Sequence, residues 1–308
     1  MEVVGEMKNR KFGTHTQAVA GVIEALLMVA LVSVVISMIQ LIYIPQVMEQ
    51  KEAEHMDLVS NQVSTLKSMI DLQAMTQSSA PISSMITLGS RDLPYFITAK
   101  AFGTLSTDED FTYKIMMNPS PNPTLPFKFS SNGSTAPLTS IKYEADNSYF
   151  VDQTYILEGG ALIVKQPDGA PVMRANPSIS AENNTRNITI HFDLPYVIAI
   201  PGKNMTSGEG NCFIRTNYSI NNTYKYQVGN VSEGYSGVYI RIYTKYPTAW
   251  NESLQNILGM YATHTNPCIN ITLRPAQSYI DIKPDEKGIT LELNVITIYV
   301  QVGQGWVL

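Results

Sequence analysis

Residues 25–44 form a run of twenty with no formal charge, and within the longer apolar stretch 18–44 only Glu24 is charged. A helix of about 20 residues rises roughly 30 Å, the thickness of a bilayer's hydrocarbon core. A core helix of a water-soluble domain would keep one polar face at a 3.6-residue period, whereas this run is apolar on every side. A secretory signal has a shorter apolar region followed by a small-residue cleavage site. This run ends in Ile42, Tyr43, Ile44, Pro45 and Gln46, which offers no such site. The stretch therefore reads as a membrane-spanning helix.

The flanks orient it. Lys8, Arg10 and Lys11 precede the run, while Glu49, Glu52, Glu54 and Asp57 follow it with only Lys51 among them. The positive-inside rule places the N-terminus in the cytoplasm and everything after residue 44 outside. Two features beyond the run fit an exterior domain. Asn-X-Ser/Thr acceptor motifs occur at Asn132, Asn183, Asn187, Asn204, Asn217, Asn221, Asn230, Asn251 and Asn270. The Asn, Ser and Thr content would give about three by chance. The two cysteines, Cys212 and Cys268, lack the spacing of a zinc site and are expected to pair. Closing that loop would stabilise the fold by roughly 4 kcal/mol in the chain-entropy picture. The net charge of -5 with no basic cluster gives no footprint for nucleic acid.

Periodicity divides the chain into a leader (1–13), a transmembrane and stalk helix (14–78) and a β-rich head (79–308). Pro45 is placed to kink or end the first helix. The pattern then resumes with Ala53, Met56, Val59, Val63, Leu66 and Ile70 as one apolar stripe, which packs either on its own head or on the same helix of another copy. Beyond residue 80 the period falls to two. Residues 93–102, 187–194 and 238–244 alternate as half-buried strands do, and Gly159-Gly160 marks a hairpin turn. The proline-rich stretch 118–140 reads as a loop. One short helix interrupts the strands, with Thr248 as its N-cap, Trp250, Leu254, Ile257 and Leu258 on one face and Gly259 as its stop. In the last strand, Ile289, Leu291, Leu293 and Val295 share one parity and Ile296, Ile298, Val300 and Val302 the other. That switch predicts either a bulge near Val295 and Ile296, which lets one long strand serve both halves of a bent sandwich, or two separate strands. The fold class expected is α+β: a long N-terminal helix, then a mainly antiparallel, sandwich-like extracellular head.

No catalytic, cofactor or metal constellation stands out. The four histidines, His15, His55, His191 and His264, have no ligand spacing to one another, and no nucleophile elbow or phosphate-binding glycine pattern occurs. His191 and Asp193 share a strand face, as half of a hydrolase triad would, but no nucleophile accompanies them. The reading is of a non-enzymatic protein without a cofactor.

The basic Lys8-Asn9-Arg10-Lys11-Phe12-Gly13 ahead of the apolar helix resembles the class III signal of archaeal type IV pilin-like and archaellin-like surface proteins. That resemblance implies cleavage by a prepilin-type peptidase after Gly13, leaving Thr14 as the N-terminus. The chain departs from the usual form in having Phe12 between Lys11 and Gly13, and in carrying the acidic residue of the early mature helix as late as Glu24. Glu24 either pairs with a neighbouring subunit's terminal amine or stays solvated at the headgroup level. The resemblance further implies a cell-surface, single-pass protein whose helix sits in the membrane or in a filament core with like subunits, bearing a glycosylated head. So large a head suits a minor subunit. The alternative is a membrane-anchored binding or adhesion ectodomain that never polymerises.

Overall fold

The computed structural model describes residues 16–89, 101–116, 138–184, 187–228, 239–262, 269–285 and 288–305. The chain divides into two compact units, Met1–Gln50 and Lys51–Leu308. The first contains α1 (Thr16–Met38), a wide π turn (Ile39–Tyr43) and the start of α2 (Ile44–Thr76). All residues from 20 to 43 are exposed. The Ser33 and Ser37 hydroxyls donate to the carbonyls of Val29 and Ser33 one turn back, at 2.7 and 2.8 Å, so neither needs an outside partner. Pro45 does not end the helix. The Ile44 N–H reaches back five residues to the Ile39 carbonyl, and this wider turn accommodates the donor and the space that the proline ring takes from a regular α-helix.

From Lys51 onward α2 belongs to the second unit, together with fourteen described strands and one further described α-helix. The strands are β1 (Ile82–Thr87), β2 (Phe102–Met116), β3 (Leu138–Asp146), β4 (Thr154–Glu158), β5 (Ala161–Lys165), β6 (Val172–Ala175), β7 (Ser178–Asn183), β8 (Asn187–Ala199), β9 (Met205–Gly208), β10 (Asn211–Val228) and β11 (Tyr239–Tyr243). Helix α3 (Pro247–Ala262) follows, then β12 (Ile269–Arg274), β13 (Tyr279–Pro284) and β14 (Gly288–Val302). One sheet runs β1-β10-β14-β8-β7; the other runs β12-β13-β11-β2-β3-β4-β5-β6, with β9 also on β2. Pairing is antiparallel except between β14 and β8. The expected α+β layout, an apolar helix followed by a mostly antiparallel region, is what forms.

Two cores hold the second unit. In one, α3 packs through Trp250, Leu254 and Leu258 with β8, β11, β13 and the first half of β14. In the other, Met56, Val59, Val63, Leu66 and Ile70 of α2 pack with β1, β3, β10 and the second half of β14. The stripe on α2 thus packs on its own chain's head. Polar side chains on that face tie the helix to the sheet. Gln62 accepts the Thr87 N–H at 2.8 Å, covering a donor on edge strand β1, and Gln73 donates to the carbonyls of Ala80 and Thr216.

Strand β14 departs from expectation instructively. It has no bulge near Val295 and Ile296: it stays in register with β8 from Gly288 to Val300. The parity of its apolar residues changes because its buried face changes. Ile289, Leu291, Leu293 and Val295 enter the α3 core from one face, while Ile296, Ile298, Val300 and Val302 enter the α2 core from the other. The irregularity lies in the neighbouring β10, between Tyr218 and Ile220.

The β4–β5 hairpin forms as predicted, with Gly159 and Gly160 at φ of 54° and 80°. It too serves both cores, Ile156 facing one and Tyr155 and Leu157 the other. Helix α3 is longer than expected. It starts at Pro247, one residue before the predicted Thr248 cap, where the N–H that proline lacks would have had no partner within the helix. At its other end Gly259 is a buried position inside the helix. The last turn continues past Gly259 because Tyr261 anchors it, its hydroxyl donating to the Ala181 carbonyl at 2.9 Å. Residues 93–100 and most of the proline-rich stretch lie outside the described residues.

Candidate functional site

The feature with the clearest functional chemistry is the exposed helix itself. From residue 20 to 43 its side chains are predominantly Leu, Ile, Val, Met and Ala, and it is long and apolar enough to cross a membrane. An apolar surface of this extent facing water is unfavourable at about 25 cal/mol per Å², so the surface calls for lipid or protein around it. Glu24 lies among its first turns, lined up with Ala20, Ile23, Leu27 and Leu31. Gly13, Thr14 and His15 lie outside the described residues.

In the head, the strand face carrying His191 and Asp193 is polar. His191 Nδ1 lies 3.1 Å from Glu292 Oε2, and Lys225 pairs with the other oxygen of Glu292. That hydrogen bond to Lys225 holds the Glu292 carboxyl below the ordinary carboxylate range. One row along, Asp193 accepts from Asn294 Nδ2 at 2.6 Å and from Ser178 Oγ at 3.3 Å. Ser178 therefore bonds the carboxylate, while the imidazole is engaged by Glu292. This is a cross-strand polar ladder of the kind that stabilises an open sheet face. Beside it, where α2 ends, a groove of about 310 Å³ is lined by Asp71, Met75, Gln77, Ser178, Asp193 and Asn221, among others. Among the described residues, no three His, Cys, Asp or Glu side chains are grouped to hold a metal ion.

Cys212 carries a free, buried thiol; Cys268, with which it was expected to pair, lies outside the described residues. Strand pairing puts Cys212 opposite Ile86 in the α2 core, where burial pushes its thiol pKa up.

Of the glycosylation motifs, Asn183, Asn204 and Asn270 are exposed, whereas Asn217, Asn221 and Asn251 are half-buried. The acceptor-motif serine of Asn251, Ser253, is fully buried and donates to Asn176 Oδ1 at 2.9 Å. Asn187 begins β8, with its side chain outside the described set; Asn132 and Asn230, like His264, lie outside the described residues altogether.

Sequence reasoning missed the buried polar anchors. Glu52 is fully buried, and its carboxylate accepts the N–H groups of Ser148, Tyr149 and Phe150 at 3.1, 2.7 and 2.6 Å. Glu158, also buried, accepts from Thr244 Oγ1 and Trp250 Nε1, both at 2.6 Å. A polar residue on an otherwise apolar stripe, as Glu52 is before Met56 and Val59, was the available signal. No protein-family model, curated protein or solved structure matches this chain.

Proposed function

We propose that this protein is a pilin-like cell-surface subunit: a single-pass protein with a cytoplasmic N-terminus and a sandwich-like, glycosylated head outside the cell. The observation that carries the reading is the uninterrupted exposure of an apolar helix from residue 20 to 43 ahead of a head that packs its own helix α2. Lys8, Arg10 and Lys11 before the helix support the orientation, and the Gly13 position ahead of it supports removal of a leader by a prepilin-type peptidase. The helix is held first in the membrane and then against the helices of like subunits in a filament core. The role is structural, without catalysis or a cofactor.

Lipid is as apolar as Leu and indifferent to side-chain order, whereas helix-on-helix packing is not. The test is to scramble residues 26–39 at constant composition, leaving Gly13 in place, in the native host. Membrane insertion should survive, and the protein should disappear from filaments sheared off the cells. Scrambled protein in normal filaments would overturn the packing claim. A parent chain that never leaves the detergent-extracted membrane would favour the anchored ectodomain instead.

A further inference from the structure

We propose that the loop joining β3 to β4 rests on the outer surface of the membrane that holds the apolar helix, through Phe102, Tyr149 and Val151; this rests on the membrane-anchored reading above. These three large apolar side chains are 43%, 38% and 49% exposed. They cluster at one end of the second sheet, since Phe102 is the register partner of Asp146, the last residue of β3, and the loop begins at the next residue.

The loop is a built feature. Three of its successive N–H groups are taken up by the buried Glu52 carboxylate. Asn147 closes it, its N–H donating to Asp152 Oδ1 at 2.7 Å and its side-chain amide to the Val151 carbonyl at 3.1 Å. Phe150 packs against the α2 core, so its neighbours Tyr149 and Val151 are turned outward on a fixed frame.

The chain tethers this frame to the apolar helix. Glu52 follows Tyr43, the last residue of the exposed run, by nine residues, and nine residues span at most about 32 Å even when fully extended. Tyr and other aromatic side chains favour the level of the headgroups, where the ring is shielded and the hydroxyl stays wet. Residues 144–164 carry Glu144, Asp146, Asp152 and Glu158 with no lysine or arginine. The loop itself thus offers no basic side chain to anionic lipid, and the contact suits a surface of neutral or zwitterionic headgroups.

The full chain is reconstituted into phosphatidylcholine vesicles whose acyl chains carry bromine near the headgroup, and emission is compared with unbrominated vesicles after subtracting the parent chain. Reporters are Tyr149→Trp and Val151→Trp, with Leu31→Trp in the apolar helix and Met260→Trp on an exposed position of α3. The proposal predicts loss of emission for the reporters at 149, 151 and 31, and none at 260. Quenching at 31 without quenching at 149 and 151 overturns the loop contact while leaving the anchor intact. Absence of quenching at 31 removes the anchored reading and the loop contact with it.

Discussion

His55 shows what a buried polar residue does in this head. It is 6% exposed, with Nε2 3.2 Å from the Tyr143 hydroxyl, which in turn donates to the Leu88 carbonyl at 2.8 Å. Burial pulls its pKa below the ordinary 6.5, against weaker opposing effects of the Leu88 backbone and Glu52. Folded His55 therefore binds a proton less readily than unfolded His55. Its contribution to stability is fully present above the unfolded pKa and declines as the pH falls through 6.5 toward the folded value. One proton contributes a slope of at most about 1.4 kcal/mol per pH unit in that window. Denaturant titrations between pH 7.5 and pH 5 should show this slope in the parent and a shallower one in His55→Gln; equal slopes would contradict the assignment. Glu52 and Gln73 belong to the same class of residue. A polar side chain is expected outside, yet Glu52's partners lie 96 to 98 positions along the chain, where no local pattern points.

Elements whose signal is local were legible, and those whose form depends on a distant neighbour were not. The Gly159-Gly160 turn is of the first kind, and its conformation gives a prediction. A Cβ on Gly160, at φ of 80°, would also meet Pro195 Cδ at 3.2 Å. Gly160→Ala should cost about 1–2 kcal/mol for the left-handed conformation alone, whereas Gly159→Asn should cost less because Asn tolerates that region. Denaturant midpoints compare the two, and an unchanged midpoint for Gly160→Ala would contradict the turn geometry. The stripe on α2 was equally legible as a stripe; which surface it packs on was not, since only the fold brings β1, β3, β10 and β14 over it. For β14 the residues announced one strand serving both halves of the head, and it does; the bulge expected to turn it is absent, because an alternation that switches parity needs only a change of buried face. Gly259 failed as a stop signal because a contact from β7, the Ala181 carbonyl, holds the turn beyond it.

At the scale of the whole molecule, composition and run length pointed to an exposed apolar helix and a separate β-rich unit, and both are present. The membrane reading follows from the physical demand of that helix: its side chains cover no core of their own and require an apolar surrounding. The proposed orientation rests on three basic residues before it and four acidic ones after it. The most direct test labels a cysteine on the head from outside. Met260→Cys, at an exposed position on α3, is treated in intact native-host cells with a maleimide that does not cross membranes, and again after lysis, each corrected for labelling of the parent. The account predicts that the protein sediments with membranes and is labelled as fully before lysis as after it. Labelling that appears only on lysis, or protein that stays in the soluble fraction without detergent, would contradict it.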